Sequence, residues 1–324
     1  MDKRIFSFGN SKKNLLGNND DEIKYVVHDI DLTAINDSHA LIVNDILKNT
    51  KKSKMVLDVG CNTGSIGIEL NKHGFTVDGI EYSKKYYDIL KEKHIYSNLY
   101  NASVSDFDSK EFNKFYDNGI KYDFIIFADV LEHLVNPDEV IYKLTSKLKP
   151  NGKMIISIPN IAHIDIIINL INGNFNYAKE GLLDSTHLRF FTSSSFGQMI
   201  DNIESNHNIN YELKQFGRTK VMPEYISEEE KNILDVNSKG FEELITIQNL
   251  FELSVSKTKQ NRNYNKIDLY KNLINKYCEL IEKNNSMNKA YNDLLNTHNI
   301  MVNSRWWKLR KVLLFWKKKW YKWN

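Results

Sequence analysis

Met55-Val-Leu-Asp-Val-Gly-Cys-Asn-Thr-Gly64 is the stretch whose reading decides the fold. A short apolar run ending at glycine predicts a buried β-strand, Met55–Val59, and the helical spacing of Ser65–Lys72 follows it. Gly60 and Gly64 let the backbone turn left-handed and come close to a ligand. The helix beginning at Ser65 offers free N–H groups and the positive end of its dipole. A dinucleotide site would ask for Gly-x-Gly-x-x-Gly to receive a pyrophosphate. Here the glycines are Gly60, Gly64 and Gly67, with Asp58 just before the turn. Taken alone, the stretch also fits a generic strand–turn–helix of any α/β protein.

Outward from it, strands are expected at Thr76–Ile80, Phe124–Phe127 and Lys153–Ile158, with helices at Lys84–Lys93 and Asp138–Leu148. Strand–helix alternation at this spacing predicts a parallel sheet covered by helices on both faces. Two later strands, Tyr211–Phe216 and Leu250–Val255, read as a closing antiparallel pair. The strand Thr76–Ile80 ends in Glu81, whose carboxylate can accept hydrogen bonds from both hydroxyls of a ribose.

The stretches LDVGCNTG, GIEYS, FIIFADVLEHL and LKPNGKMIISIPN occur in that order over residues 55 to 159. Together they resemble the class I S-adenosylmethionine-dependent methyltransferases. The resemblance implies an α/β, Rossmann-like sheet of seven strands with S-adenosylmethionine across the strand C-termini. It implies that Asp58, Gly60 and Gly64 border the methionine part and that Glu81 holds the ribose. Ser103 and Val104 would flank the adenine, with Ala128 and Asp129 near the sulfonium. Asn62 stands where the family often has glycine, and asparagine is the residue that best tolerates left-handed geometry in its place. Ser103 replaces an acidic residue common in the family.

Ile158-Pro-Asn-Ile-Ala-His163 and Gly181-Leu-Leu-Asp-Ser-Thr-His-Leu-Arg-Phe-Phe-Thr192 further resemble a subgroup found in bacterial cell-surface glycan and O-antigen gene clusters. That implies O-methylation of a glycan or lipid-linked sugar. Such an enzyme must align the acceptor with the methyl group and remove the hydroxyl proton. His187 is the first expectation for the base, oriented by Asp184, because an imidazole titrates near neutrality. His163 and His133 are alternatives. Asn160 and Arg189 are expected to bind the acceptor, Arg189 through an anionic group. His133 as a structural residue, and His187 with Asp184 and Arg189 as a loop clamp, are equally open readings. Asp184 and His187 could enter a metal site, but no third ligand stands out, so no metal centre is expected. A quinone-type or other small-molecule acceptor, or a catalytically silent scaffold, would carry the same motifs.

Composition sets the limits. Apolar residues make up 41% of the 324, enough for a sizeable core, and 26% are charged. Two cysteines, Cys61 and Cys278, suit a reducing cytosol and exclude a Cys-rich zinc module. No secretion signal and no spanning stretch of about 18 apolar residues is expected. The net charge of +3 conceals an asymmetry, since residues 304 to 324 hold eight Lys or Arg and no Asp or Glu.

The expected organisation is a polar segment over 1–28, the methyltransferase domain over 29–258, a helical coiled coil over 259–303 and a basic tail over 304–324. The coiled coil is read from a heptad whose seams carry Leu273, Leu280, Met287, Leu294 and Met301, and Tyr270, Tyr277, Asn284, Tyr291 and His298. It would oligomerise the chain, although a single amphipathic helix packed on the body fits the same pattern. All five tryptophans lie in the tail, and Trp306, Leu309, Leu313, Trp316, Trp320 and Trp323 share one helical face among lysines and arginines. A basic, indole-rich helix suits the inner membrane surface, so a cytoplasmic protein bound peripherally there is expected. A partner protein or, less simply, nucleic acid would also accept such a tail.

Overall fold

The protein is described here by a computed structural model covering residues 29–50, 54–223 and 239–262, and, further on, 279, 282–283, 285–297 and 299–300. A seven-stranded sheet forms its centre. The strands are β1 (Met55–Val59), β2 (Thr76–Ile80), β3 (Leu99–Tyr100), β4 (Tyr122–Ala128), β5 (Leu148–Pro159), β6 (Asn210–Lys220) and β7 (Thr246–Ser256), in the spatial order β3-β2-β1-β4-β5-β7-β6. The first five are parallel, and β7 runs antiparallel to both β5 and β6. The expected strands and the closing pair are all present, each in its expected place and several of them longer.

Period-two alternation divides the strands between two cores. Phe124 and Ile126 of β4 face one way and Ile125 and Phe127 the other, and β1 sends Val56 and Leu57 to opposite sides. On one face lie α1 (Ser38–Asn49) and α2 (Ser65–Lys72), through Ile42, Val43, Ile46, Ile66 and Leu70. On the other lie α4 (Lys110–Tyr116), α5 (Pro137–Thr145) and α7 (Ser193–His207), through Phe112, Phe115, Val140, Ile141, Leu144, Phe196, Ile200 and Ile203. The remaining helices are α3 (Lys84–Glu92), α6 (Ile164–Ile171) and α8 (Lys239–Leu244), with a 3₁₀ turn at Leu131–His133.

Two helices not anticipated from the sequence have clear local causes. The Asp37 side chain accepts from Ala40 N at 2.8 Å and starts α1. Thr192 and Ser195 cap each other reciprocally and start α7. The most apolar window of the sequence becomes α6, eight residues long. No helix among the described residues is long and apolar enough to cross a membrane.

The chain separates into two compact units. One holds the sheet with residues up to 223 and 242–264, and the other holds 224–241 and 265–324. In the second, 285–297 is helical, and Met287 and Leu294 are 62% and 68% exposed. Most of the expected heptad seam, Cys278, the polar segment 1–28 and the basic tail lie outside the described residues.

Candidate active site

Chain order reverses between β1 and β4, and the crevice beyond the strand C-termini at such a point is where open α/β sheets bind ligands. The β1–α2 turn forms one wall. Its backbone is left-handed at Gly60 (φ 68°), Asn62 (φ 45°) and Gly64 (φ 83°). Gly64 is needed there for its left-handed conformation, and a Cβ on it would also stand 2.7 Å from Leu90 Cδ2, so that side chain would have to shift. Asn62 takes up the left-handed geometry that its substitution for glycine demanded.

Glu81, at the end of β2, is 2% exposed. One carboxylate oxygen accepts from Asn62 N and the other from Ser83 N, each at 2.8 Å. Burial raises its pKa, and those N–H donors oppose the shift. The carboxylate therefore ties the β1–α2 turn to the end of β2 and still has lone pairs for further donors. Asn62 Oδ1 is buried and has no partner. An orphaned acceptor beside a carboxylate with spare capacity fits a ligand rich in hydroxyl and amino groups, as S-adenosylmethionine is.

Asp58 lies on the strand beneath this turn and accepts from Tyr96 Oη at 2.8 Å. Burial pushes it up to about 7; the Tyr96 hydrogen bond opposes this and nearby Glu81 adds to it. Tyr96 packs where a Cβ on Gly67 or Gly79 would stand, so both glycines make room for the ring that holds Asp58. Past β3, Ser103 Oγ shares a hydrogen bond with Ser105 Oγ at 3.0 Å, and Val104 is buried. Ala128 ends β4. Asp129 follows it in left-handed geometry (φ 54°) and accepts from Ser157 Oγ at 2.9 Å and Gln248 Nε2 at 2.8 Å. Sequence reasoning did not reach Tyr96 or Gln248. Each comes from a distant strand or loop, and no local pattern marks it.

On the acceptor side the structure sorts the expected residues. His187 and His133 meet edge to face, with ring centroids 4.9 Å apart. Burial lowers the His187 pKa, and His133 lowers it further. The His187 Nδ1 lies 3.3 Å from Leu182 O. A carbonyl only accepts, so Nδ1 carries the proton and Nε2 keeps its lone pair. Asp184 Oδ1 accepts from Thr186 N at 2.9 Å and Thr186 Oγ1 at 2.7 Å, shaping the loop that presents His187. Arg189 is exposed and donates to Val135 O. Phe175, Tyr177 and Phe190 pack edge to face or tilted, with Phe190 also against His187.

Asn160 and His163 are held elsewhere. Asn160 is buried, donates to Glu243 O and Thr246 O, and accepts from Ala162 N. His163 is buried as the N-cap of α6, where Nδ1 accepts from Asp165 N and Nε2 lies 3.1 Å from Val221 O. With both ring nitrogens engaged by the protein, its geometry is that of a cap. One residue the sequence reading passed over is Glu132, 1% exposed, with neither carboxylate oxygen partnered. Burial drives its pKa well above the usual range, and Asp129 and Asp184 add to the shift.

A family model described as a methyltransferase domain matches residues 36–204. The ubiquinone biosynthesis O-methyltransferase of Coxiella burnetii (strain RSA 493 / Nine Mile phase I) is 30% identical over 140 residues, covering 40% of this chain and 58% of the relative. That of Rickettsia conorii (strain ATCC VR-613 / Malish 7) is 30% identical over 120 residues, covering 36% and 38%. The chain thus spans well under two thirds of the length of these relatives. Among solved structures, magnesium protoporphyrin IX methyltransferase (ChlM) from Synechocystis PCC 6803 with bound SAH matches at 15% identity and TM-score 0.45, over 68% of this chain and 82% of that one. A SAM-dependent methyltransferase from Archaeoglobus fulgidus matches at 16% and 0.44, over 68% and 96%. The family match spans the β1–α2 turn, Glu81, Asp129 and the His133–His187 pair: the chain belongs to the methyltransferase-domain family, of the class I S-adenosylmethionine-dependent kind.

Proposed function

We propose that the protein transfers the methyl group of S-adenosylmethionine to a hydroxyl oxygen of a sugar in a glycan or lipid-linked saccharide. The observation that carries an oxygen acceptor is the imidazole pair of His133 and His187 beside Asp129, at the end of the cofactor crevice. A hydroxyl must lose its proton as it is methylated, and Nε2 of His187, an electrostatic neighbour of Asp129 and in contact with His133, keeps a lone pair for it. The resemblance of the Gly181–Thr192 stretch to glycan-cluster methyltransferases supports a sugar, and aromatic faces such as Tyr177 suit its C–H surface. The cofactor supplies a methyl group already activated by the sulfonium. The chain's own residues bind the ribose at Glu81, hold Asp129 with Ser157 and Gln248, and present the acceptor hydroxyl to the imidazoles.

A phenolic or quinol acceptor is the second reading. It is favoured by the two named relatives and by the aromatic cluster of Phe175, Tyr177 and Phe190. Labelled-methyl transfer separates the two. Incubation with a lipid-linked saccharide fraction should give alkali-stable label in the sugar, as expected of an ether rather than an ester. Label only in a catechol or hydroquinone would move the assignment to the second reading, and label in none would overturn both.

The same proposal puts the basic, tryptophan-bearing tail on the inner membrane surface, where a lipid-linked acceptor is found, and assigns self-association to the heptad segment. Removal of residues 304–324 should abolish co-sedimentation with anionic liposomes at low salt. Sedimentation that survives the deletion would reject the membrane role.

A further inference from the structure

One carboxylate oxygen of Glu132 and one ring nitrogen each of His133 and His187 lie within 4.8 Å of one another. No spacing in the sequence announces this set. Glu132 and His133 sit on the 3₁₀ turn after β4, and His187 arrives from a loop more than fifty residues later. The two strands of chain are joined directly, because Leu188 N and Arg189 N both donate to Glu132 O, at 2.8 and 3.0 Å.

The hydrogen bonds around the two imidazoles prepare each one as a ligand. His133 Nδ1 lies 3.2 Å from Thr186 O and 3.2 Å from Thr186 Oγ1. Thr186 Oγ1 spends its own proton on Asp184, so the imidazole Nδ1 is the donor to both oxygens. His187 Nδ1 donates to Leu182 O in the same manner. Both rings therefore turn a bare Nε2 away from their carbonyl anchors. This is the arrangement in which metal-ligating imidazoles occur: the second nitrogen donates to a carbonyl and fixes the tautomer. Glu132 supplies the independent observation. It is almost wholly buried, yet neither of its oxygens has a partner, which is costly unless something answers them.

We propose that Glu132, His133 and His187 bind one divalent transition-metal ion, with open coordination positions toward the acceptor. Two imidazoles and one carboxylate suit ions of the zinc, cobalt and manganese kind rather than magnesium or calcium, which prefer oxygen ligands. Bonds of about 2.1 Å at tetrahedral angles place ligand atoms ~3.4 Å apart. The three atoms, within 4.8 Å of one another, close toward that spacing as the ion binds. Asp129 is held by Ser157 and Gln248 and is not one of the three converging groups.

The catalytic part of this proposal rests on the oxygen-acceptor reading above. An ion there lowers the pKa of an acceptor hydroxyl and orients it. The hydroxyl proton passes to solvent, the O–CH₃ bond forms as the S–CH₃ bond breaks, and the electron pair of the broken bond remains on sulfur. His187 then acts as a ligand rather than as the base.

The test begins without any acceptor. Full-length protein stripped with a chelator is titrated with Co²⁺ and Zn²⁺ by calorimetry, and Co²⁺ also by visible absorption. One equivalent should bind, and affinity should fall at least ~100-fold in His133→Ala, His187→Ala and Glu132→Gln. His94→Asn, which alters an exposed histidine, should leave it unchanged. The Glu132→Gln variant keeps the side-chain shape and removes only the capacity to ionise onto the metal, and unchanged S-adenosylhomocysteine binding by it separates a lost metal site from a lost fold. Failure to bind one equivalent, or binding that the three variants retain, overturns the site. Methyl transfer, measured separately, should drop at least ~10²-fold in stripped enzyme and return with Zn²⁺, Co²⁺ or Mn²⁺. Transfer that persists undiminished in stripped enzyme overturns the activating role. A wrong acceptor would leave the titration untouched.

Discussion

Glu81→Ala should weaken S-adenosylhomocysteine binding by ~10²–10³-fold in a calorimetric titration. Each ribose hydroxyl donating to a carboxylate contributes ~1.5–3 kcal/mol. At the lower half of that range two such bonds amount to about 3–4 kcal/mol, at about 1.4 kcal/mol per decade of affinity. The same side chain also accepts from Asn62 N and Ser83 N at 2.8 Å, so its removal leaves two backbone donors unanswered and loosens the β1–α2 turn. Glu81→Gln separates the two effects. The amide keeps one acceptor and the side-chain shape, so its loss should be smaller, ~10-fold. Affinity within threefold of the parent in Glu81→Ala would remove Glu81 from the cofactor site.

Arg262→Ala should lower the unfolding free energy by about 3–5 kcal/mol, the range for stripping one partner from a buried ion pair. The segment after β7 folds back over the exposed edge of the sheet. Gln260 accepts from Leu213 N at 2.9 Å and donates to Leu213 O at 3.1 Å, answering the outward-facing backbone groups of edge strand β6. Arg262 follows, with its guanidinium almost fully buried. It donates to Glu204 at 3.0 and 3.2 Å, to Tyr211 O at 2.7 Å and to Asp201. Glu204 is buried on α7 and also accepts from Tyr211 N at 2.7 Å. Without Arg262 the Glu204 charge stays in the interior uncompensated. Arg262→Lys should lose less, since an ammonium keeps the charge but not the fork that reaches three acceptors. Urea unfolding checks both variants, and a loss below about 1 kcal/mol in the alanine variant would show that water reaches Glu204.

These two sites differ in how far the sequence disclosed them. Glu81 was legible as a candidate because its place depends on local order: an apolar strand, a terminal carboxylate and a glycine turn about twenty residues earlier, all in the sequence of a parallel sheet. The Arg262 clamp was not. It joins a residue beyond the last strand to a helix and an edge strand some fifty residues away, and no periodicity encodes such a meeting.

The acceptor side divides in the same way. His187 and Asp184 stood out as titratable residues in a distinctive stretch, but so did His163, and only three-dimensional packing separates them. One ring nitrogen of His163 caps α6 and the other bonds Val221 O, whereas His187 is held by one nitrogen beside His133. Glu132 stood inside the FIIFADVLEHL stretch with no role assigned to it. Its meaning comes from burial without a partner, a property of the folded neighbourhood alone.

By itself, then, the sequence determined the α/β class, the parallel direction of the central strands, the closing antiparallel pair and the left-handed Gly60–Gly64 turn. Those follow from short-range periodicity, glycine conformation and chain connectivity, which act over a few residues at a time. The tertiary structure alone decided the pairing of Tyr96 with Asp58, the hold of Gln248 on Asp129 and the convergence of Glu132, His133 and His187. Each depends on which side chains from distant segments share one buried space and which of their polar atoms are left there unanswered.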